Sequence, residues 1–228
     1  MKAAVIVFPG SNCDRDAVSA LTKIGSNVEK IWHAETSLPK NLDLIIVPGG
    51  FSYGDYLRSG AMAAISPIMR EVKKAGSNGI HVLGICNGFQ ILTEAEMLEG
   101  VLLRNKNIKF IGKTLNLKVE NSNSKFTSEY EQSQVIHVPI AHMDGNYFTD
   151  EKTLKSIEDN GQVAFRYCNE NGQINDSTNP NGSLTNIAGI FNKQKNILGM
   201  MPHPERAIDK ENGSVDGLLL FNSLLKNL

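Results

Sequence analysis

The chain has 228 residues, 41% of them hydrophobic and 21% charged, enough to bury one core as a single domain over residues 1–228. With 23 Lys and Arg against 24 Asp and Glu, the formal net charge is −1, and the basic residues are scattered. Neither nucleic acid nor an anionic membrane is an expected partner. Three cysteines with no C-x-x-C pair and no close Cys/His cluster argue against a disulfide framework and predict no metal site, so a reducing, cytoplasmic setting is expected.

Residues 3–8 form a short apolar run that predicts a buried first strand. It is too brief for a signal-peptide core, and no stretch reaches membrane-spanning length. Residues 14–24 place Ala17, Val18, Leu21 and Ile24 at helical spacing and stop at Gly25. Strands are predicted over 28–32 and 44–47, a helix over 65–75 ended by Gly76, a strand over 82–85 and a helix over 89–98. Strand–helix alternation at this spacing predicts an α/β fold, a mostly parallel open sheet flanked by helices. Ligands of such sheets bind beyond the carboxyl ends of the strands.

From about Leu102 the pattern changes. Apolar runs at 114–119, 134–140, 162–167, 187–191 and 197–201 predict largely antiparallel strands in the second half. Asn- and Gly-rich turns such as Asn169-Glu170-Asn171-Gly172 and Asn179-Pro180-Asn181-Gly182 join them, and residues 215–228 close the chain as an amphipathic helix. Residues 120–124 are predicted as a surface loop, and the polar segment 120–134 receives no assignment.

The chemistry centres on Gly84-Ile85-Cys86-Asn87-Gly88, directly after the apolar residues 80–83. A glycine two residues before and two after a nucleophile-type side chain is the pattern of a strand-to-helix elbow. There the turn leaves no room for a Cβ beside the reactive residue. The first amides of the following helix favour a thiolate. A thiol attacking an amide also needs a proton carrier, because the leaving amine must be protonated.

Of five histidines, His33 and His81 fall in predicted strands, His137 in an alternating strand and His142 in the loop just past it, where it is a candidate ligand contact. His203 differs: it stands in Met201-Pro202-His203-Pro204-Glu205-Arg206, directly after a strand. Prolines on both sides restrict its backbone. Glu205, two residues on in an extended segment, projects to the same side and can orient the imidazole. Pro48-Gly49-Gly50-Phe51-Ser52-Tyr53-Gly54-Asp55 follows another predicted strand. Its Gly-Gly turn can expose an amide to the same crevice, so Gly50 and Asn87 are the candidate oxyanion donors. Cys13 also lies between a strand and a helix, but Asp14 opposes a thiolate there, and Cys168 has no activating neighbour in sequence. No phosphate-loop or dinucleotide pattern occurs. A cysteine hydrolase on a similar sheet is one competing reading, against which the His-x-Glu element argues; a non-catalytic binding protein is the other, which predicts no thiolate reactivity and so no pH-dependent alkylation at Cys86.

Taken together, Gly84-Ile85-Cys86-Asn87-Gly88-Phe89-Gln90, Pro202-His203-Pro204-Glu205 and Pro48-Gly49-Gly50 resemble the class I, or triad, glutamine amidotransferases. Pro9-Gly10-Ser11-Asn12-Cys13-Asp14 and the stretch from Gly49 to Arg58 resemble the branch that acts as separate glutaminase subunits in purine biosynthesis. The resemblance runs from Val5 to the final helix. It implies Cys86 as nucleophile, His203 as general base and acid, Glu205 as its orienting acid, and backbone amides of Gly50 and Asn87 as oxyanion donors. It places Gly49, Phe51, Tyr53 and Gln90 on the side that holds L-glutamine. It also implies a large synthetase subunit using ATP and magnesium, a small accessory subunit, and no cofactor in this chain. One departure is Met143-Asp144, where the family pattern has Gly-Glu.

Overall fold

The computed structural model describes residues 1–228, the side chain of Asn212 excepted. Its centre is a nine-stranded sheet in the order β2-β1-β3-β4-β11-β10-β9-β6-β7. The first five in that order are β2 (Asn27–Trp32), β1 (Lys2–Val7), β3 (Leu44–Val47), β4 (His81–Ile85) and β11 (Ile197–Met200), and they pair in parallel. The remaining four, β10 (Ile187–Phe191), β9 (Val163–Cys168), β6 (Ile111–Val119) and β7 (Val135–His142), pair antiparallel. The predicted α/β sheet with an antiparallel second half is therefore one continuous sheet.

Position in the sheet explains the sequence of each strand. Central β3 is Leu-Ile-Ile-Val with every residue buried, as a strand covered on both faces requires. Edge strand β7 instead alternates, burying Ile136, Val138, Ile140 and His142 on one face. Helices α1 (Asp14–Lys23), α3 (Pro67–Ser77) and α4 (Asn87–Glu94) cover the parallel half, with α4 packing on β3, β4 and β11.

The structure corrects several boundaries. The helix expected at 65–75 begins instead at Pro67 as α3, since Pro67 lacks an amide to continue a helix and suits its first turn, and a separate short α2 (Ala61–Ala64) precedes it. Gly76 does not end α3; it lies inside it, against Val82, Met97 and Ile197, where a glycine allows close approach. The helix expected at 89–98 instead begins at Asn87 and ends at Glu94. The final helix, α6 (Leu218–Asn227), starts three residues later than its apolar spacing suggests.

Besides α2, the sequence reading has no counterpart for the two-stranded ribbon of β5 (Val101–Leu103) with β8 (Asn146–Phe148), or for α5 (Glu151–Asp159). The strands are too short for a periodic signal. The start of α5 does have one, since the Asp150 carboxylate accepts from the Thr153 amide at 3.0 Å. The polar segment 120–134 buries Phe126 and Tyr130 and is tied to α6. The Tyr130 hydroxyl donates to Asp216 O, and the Glu129 amide donates to Ser223 Oγ, both at 2.9 Å.

Candidate active site

Four chain segments meet beyond the carboxyl ends of the parallel strands. β1 runs on to Cys13, β3 to Gly49-Gly50, β4 to Cys86 and β11 to His203. Because β11 is parallel to β4, with Met200 opposite Ile85, Cys86 and His203 leave the sheet at the same edge. The Cys86 amide donates to Met200 O at 2.8 Å, locking the two exits together.

Cys86 has φ 52° and ψ −106°, a conformation that costs a non-glycine residue roughly 1–3 kcal/mol. The glycines around it are dictated by space. A Cβ on Gly88 would collide with the carbonyl oxygen of Val47, and one on Gly84 would lie 2.8 Å from the backbone of Gly88. The first turn of α4 is thus pressed onto β3 and β4. Cys86 is 5% exposed, and its thiol donates to Ala141 O at 3.6 Å. Ala141 belongs to β7, the far edge of the sheet. The antiparallel half curls back, and its edge strand closes over the nucleophile. Pro139 O on the same strand accepts from the His203 amide at 2.8 Å.

His203 and Glu205 are buried, and Nδ1 of the ring lies 2.6 Å from Oε1 of the carboxylate. Nδ1 therefore carries the proton toward Glu205, and Nε2 is buried without a hydrogen-bond partner among the described residues. Burial pushes the His203 imidazole toward neutrality. The Glu205 carboxylate, and after it the sulfurs of Cys86 and Cys13, outweigh burial and hold it well above its ordinary value.

The oxyanion side follows the same logic. Gly50 has φ 135°, and a Cβ there would lie 2.7 Å from the Asn12 amide nitrogen. The Cys13 amide donates to Gly49 O (3.3 Å) and the Phe51 amide to Gly10 O (3.1 Å). Those bonds fix the turn without using the amide of Gly50. Asn87 opens α4, so its amide has no intrahelical acceptor. Its side chain joins the loops: Oδ1 accepts from the Ser52 amide at 3.2 Å, and Nδ2 donates to Gln90 Oε1 at 2.9 Å. Gln90 in turn donates to Asp144 O at 2.6 Å. The Met143-Asp144 departure thus lies beside Gln90 and contacts it through backbone. Phe51 is 45% exposed. Tyr53 has φ 54° and shares a 2.6 Å hydrogen bond between its hydroxyl and His33 Nδ1.

Several residues near the site owe their surroundings to contacts that sequence spacing does not display. His142 is the last residue of β7 rather than a loop residue, and it is buried. Asn105 holds it: Nδ2 donates to the carbonyls of Lys109 and His142, leaving Oδ1 to accept from the Gly145 amide and from His142 Nδ1. That assigns the His142 proton to Nδ1, and burial, with His203 adding to it, lowers the ring to about 4. Asp55 is raised to about 6 by burial and then by Asp144. Cys13, beside Asp14 in sequence, is instead packed against His203 and accepts from Arg206 Nη2 at 3.1 Å. Only the fold reveals that neighbour. A separate cavity of about 1440 Å³ lies at the opposite edge of the sheet, bordered by His81, Asn196 and Lys193, and contains none of the predicted site residues.

The family model for the CobB/CobQ-like glutamine amidotransferase domain matches residues 1–217. The chain is 53% identical over 227 residues to phosphoribosylformylglycinamidine synthase subunit PurQ of Novosphingobium aromaticivorans, covering 99% of this chain and 97% of that protein. A chain in the structure of PurLQS from Thermotoga maritima superposes with a TM-score of 0.87 at 42% identity, covering 99% and 97% of the two chains. The glutaminase domain of Trypanosoma brucei CTPS, solved with bound acivicin, shares the fold at a TM-score of 0.59 and 12% identity, covering 99% and 94%. The chain belongs to the CobB/CobQ-like glutamine amidotransferase family.

Proposed function

We propose that this chain is the glutaminase subunit of a phosphoribosylformylglycinamidine synthase. In that role it hydrolyses L-glutamine and supplies ammonia for converting formylglycinamide ribonucleotide to formylglycinamidine ribonucleotide in purine biosynthesis. The observation that carries the chemistry is the buried His203–Glu205 pair at 2.6 Å, set at the same sheet edge as the Cys86 elbow. Identity of 53% over almost the whole chain to a subunit of that synthase carries the pathway.

His203 Nε2 takes the Cys86 proton, and the thiolate attacks the side-chain amide carbon of glutamine. The amides of Gly50 and Asn87 receive the developing oxyanion, each such donor being worth about 3 kcal/mol of barrier. The C–N bond breaks as His203 returns the proton to the departing ammonia, leaving a γ-glutamyl thioester on Cys86. Water, deprotonated by His203, then releases glutamate. Glu205 keeps the ring in one tautomer throughout. Gly49, Phe51, Tyr53 and Gln90 border the glutamine. A large synthetase subunit, which uses ATP and magnesium, receives the ammonia, and a small accessory subunit completes the complex. This chain contributes no cofactor of its own, and the setting is cytoplasmic. Among the described residues, no helix is long and apolar enough to cross a membrane.

A glutaminase assay with and without the synthetase subunits, ATP and the ribonucleotide tests the reading. Activity should rise when all are present and vanish in Cys86→Ala. A Cys86→Ala protein hydrolysing glutamine at the wild-type rate refutes it.

A further inference from the structure

Asn105 lies just past β5 in the polar run Arg104-Asn105-Lys106-Asn107, yet it is 1% exposed. Its side chain uses both ends. Nδ2 donates to Lys109 O at 2.9 Å and to His142 O at 3.0 Å. Oδ1 accepts from the Gly145 amide at 3.0 Å and from His142 Nδ1 at 3.1 Å. The Asn105 amide donates to Met143 O at 2.8 Å. One residue thus holds two carbonyls, an amide and the ring of the turn His142-Met143-Asp144-Gly145. Gly145 completes the fit, because a Cβ there would fall on the His142 ring. His142 Nε2 is buried without a hydrogen-bond partner among the described residues, so the bond to Asn105 is what orients that ring.

Two carbonyls of this region face the site. Ala141 O, one residue before the turn, meets the Cys86 thiol at 3.6 Å, and Asp144 O, within it, accepts from Gln90 Nε2 at 2.6 Å. Neither keeps its place unless the turn does, and a shift of about 1 Å around a reacting centre can cost roughly 100-fold in rate. An amide side chain suits the task because it offers two donors and two acceptor sites in one planar group.

We propose that Asn105 is a positioning residue of the glutaminase: by clamping the His142–Gly145 turn it sets Ala141 O against the nucleophile and Asp144 O against Gln90 on the glutamine side. The inference rests on the glutaminase reading. Asn105 acts on KM through the Asp144–Gln90 contact, and on kcat through Ala141 and the Cys86 thiol.

The test uses the full chain, assayed with the synthetase subunits, ATP and the ribonucleotide, well below each variant's melting transition. Asn105→Ala should raise KM for glutamine roughly tenfold or more, and kcat should fall as well. Asn196→Ala is the control for lost stability alone. Asn196 is also buried, and its Nδ2 donates to Gly76 O at 2.8 Å and Ile80 O at 3.1 Å at the opposite edge of the sheet. Its replacement should lower the melting temperature comparably and leave KM and kcat at the parent values. Asn105→Asp keeps the shape and an accepting oxygen but loses both donations. It should raise KM several-fold, and it decides the matter if Asn105→Ala does not fold. In a Gln90→Ala background, adding Asn105→Ala should raise KM by less than about threefold, because the contact it acts through is already gone. An unchanged KM in the Asn105 variants, an equal rise in Asn196→Ala, or full multiplication of the Gln90 and Asn105 effects would each overturn the proposal. A parent protein without glutaminase activity, or a Cys86→Ala protein that retains it, removes the glutaminase reading instead, so the two failures give different results.

Discussion

Nδ1 of His203 and Oε1 of Glu205 are 2.6 Å apart in a pocket closed to solvent. The carboxylate does two things there: it fixes the tautomer, and it holds the imidazole well above its ordinary value against the opposing effect of burial. Glu205→Gln keeps the shape and removes the charge. The expected loss in kcat/KM is roughly 10²–10⁴-fold, and the limb of the pH–rate profile set by His203 moves to lower pH. A profile identical to that of the parent would show that Glu205 does not act through this ring.

The same pair makes a pH-dependent contribution to stability. Its sign follows from the raised folded value: the contribution is complete below the unfolded value of 6.5 and is lost as pH rises through the folded one. Urea midpoints of the parent and His203→Asn should therefore differ most in acid and converge with rising pH. A gap that widens instead contradicts the assignment.

Gly88 sets how close α4 can approach β3. Gly88→Ala drives a methyl into Val47 O, a backbone atom with no freedom to retreat, and should cost about 3 kcal/mol or more. Gly25→Ala is the control: it meets nothing within 4 Å but has φ 80°, a strain of about 1–2 kcal/mol. Equal losses in chemical denaturation would mean that contact with β3 is not what demands a glycine.

Cys86 has a positive φ because its sulfur must stand at the turn. Replacement by alanine retains that strain, and replacement by glycine relieves about 1–2 kcal/mol of it, more than glycine's added freedom in the unfolded chain takes back. Cys86→Gly should therefore be no less stable than Cys86→Ala, the reverse of the usual order, while both lack glutaminase activity. An electrophilic glutamine analogue should modify the parent at Cys86 alone; peptide mapping that finds the adduct on Cys13 or Cys168 would count against the elbow.

Asp55, raised to about 6 by burial and by Asp144, adds a second contribution that is lost as pH rises. The folded chain binds this proton more tightly than the unfolded one, so stability falls as pH climbs from about 4 to about 6. Asp55→Asn should raise the melting temperature above pH 6 and leave it nearly unchanged near pH 4. Stabilisation of equal size at both would assign the effect to something other than charge.

Local patterns reveal much of this protein. The all-apolar β3, the glycines bracketing Cys86 and the prolines bracketing His203 are each legible where they stand, because a strand buried on both faces, a crowded elbow and a rigid turn impose their requirements on neighbours in the chain. The His203–Glu205 pair is two residues apart and needed no long-range contact to be proposed. Resemblance of motifs then tied them to one family.

Other features depend on contacts between segments far apart in sequence. Neither composition nor spacing says that β11 runs parallel to β4, although that pairing alone puts His203 and Cys86 at one edge. Nor do they say that β7 curls back so that Ala141 O meets the Cys86 thiol, or that Asn105 fixes the His142 ring. Cys13 is the clearest case. In sequence its nearest charged neighbour is Asp14; in the fold it lies against His203 and Arg206. A side chain's chemistry is set by the groups within a few ångströms of it, and for Cys13 the groups that matter arrive from the other end of the chain.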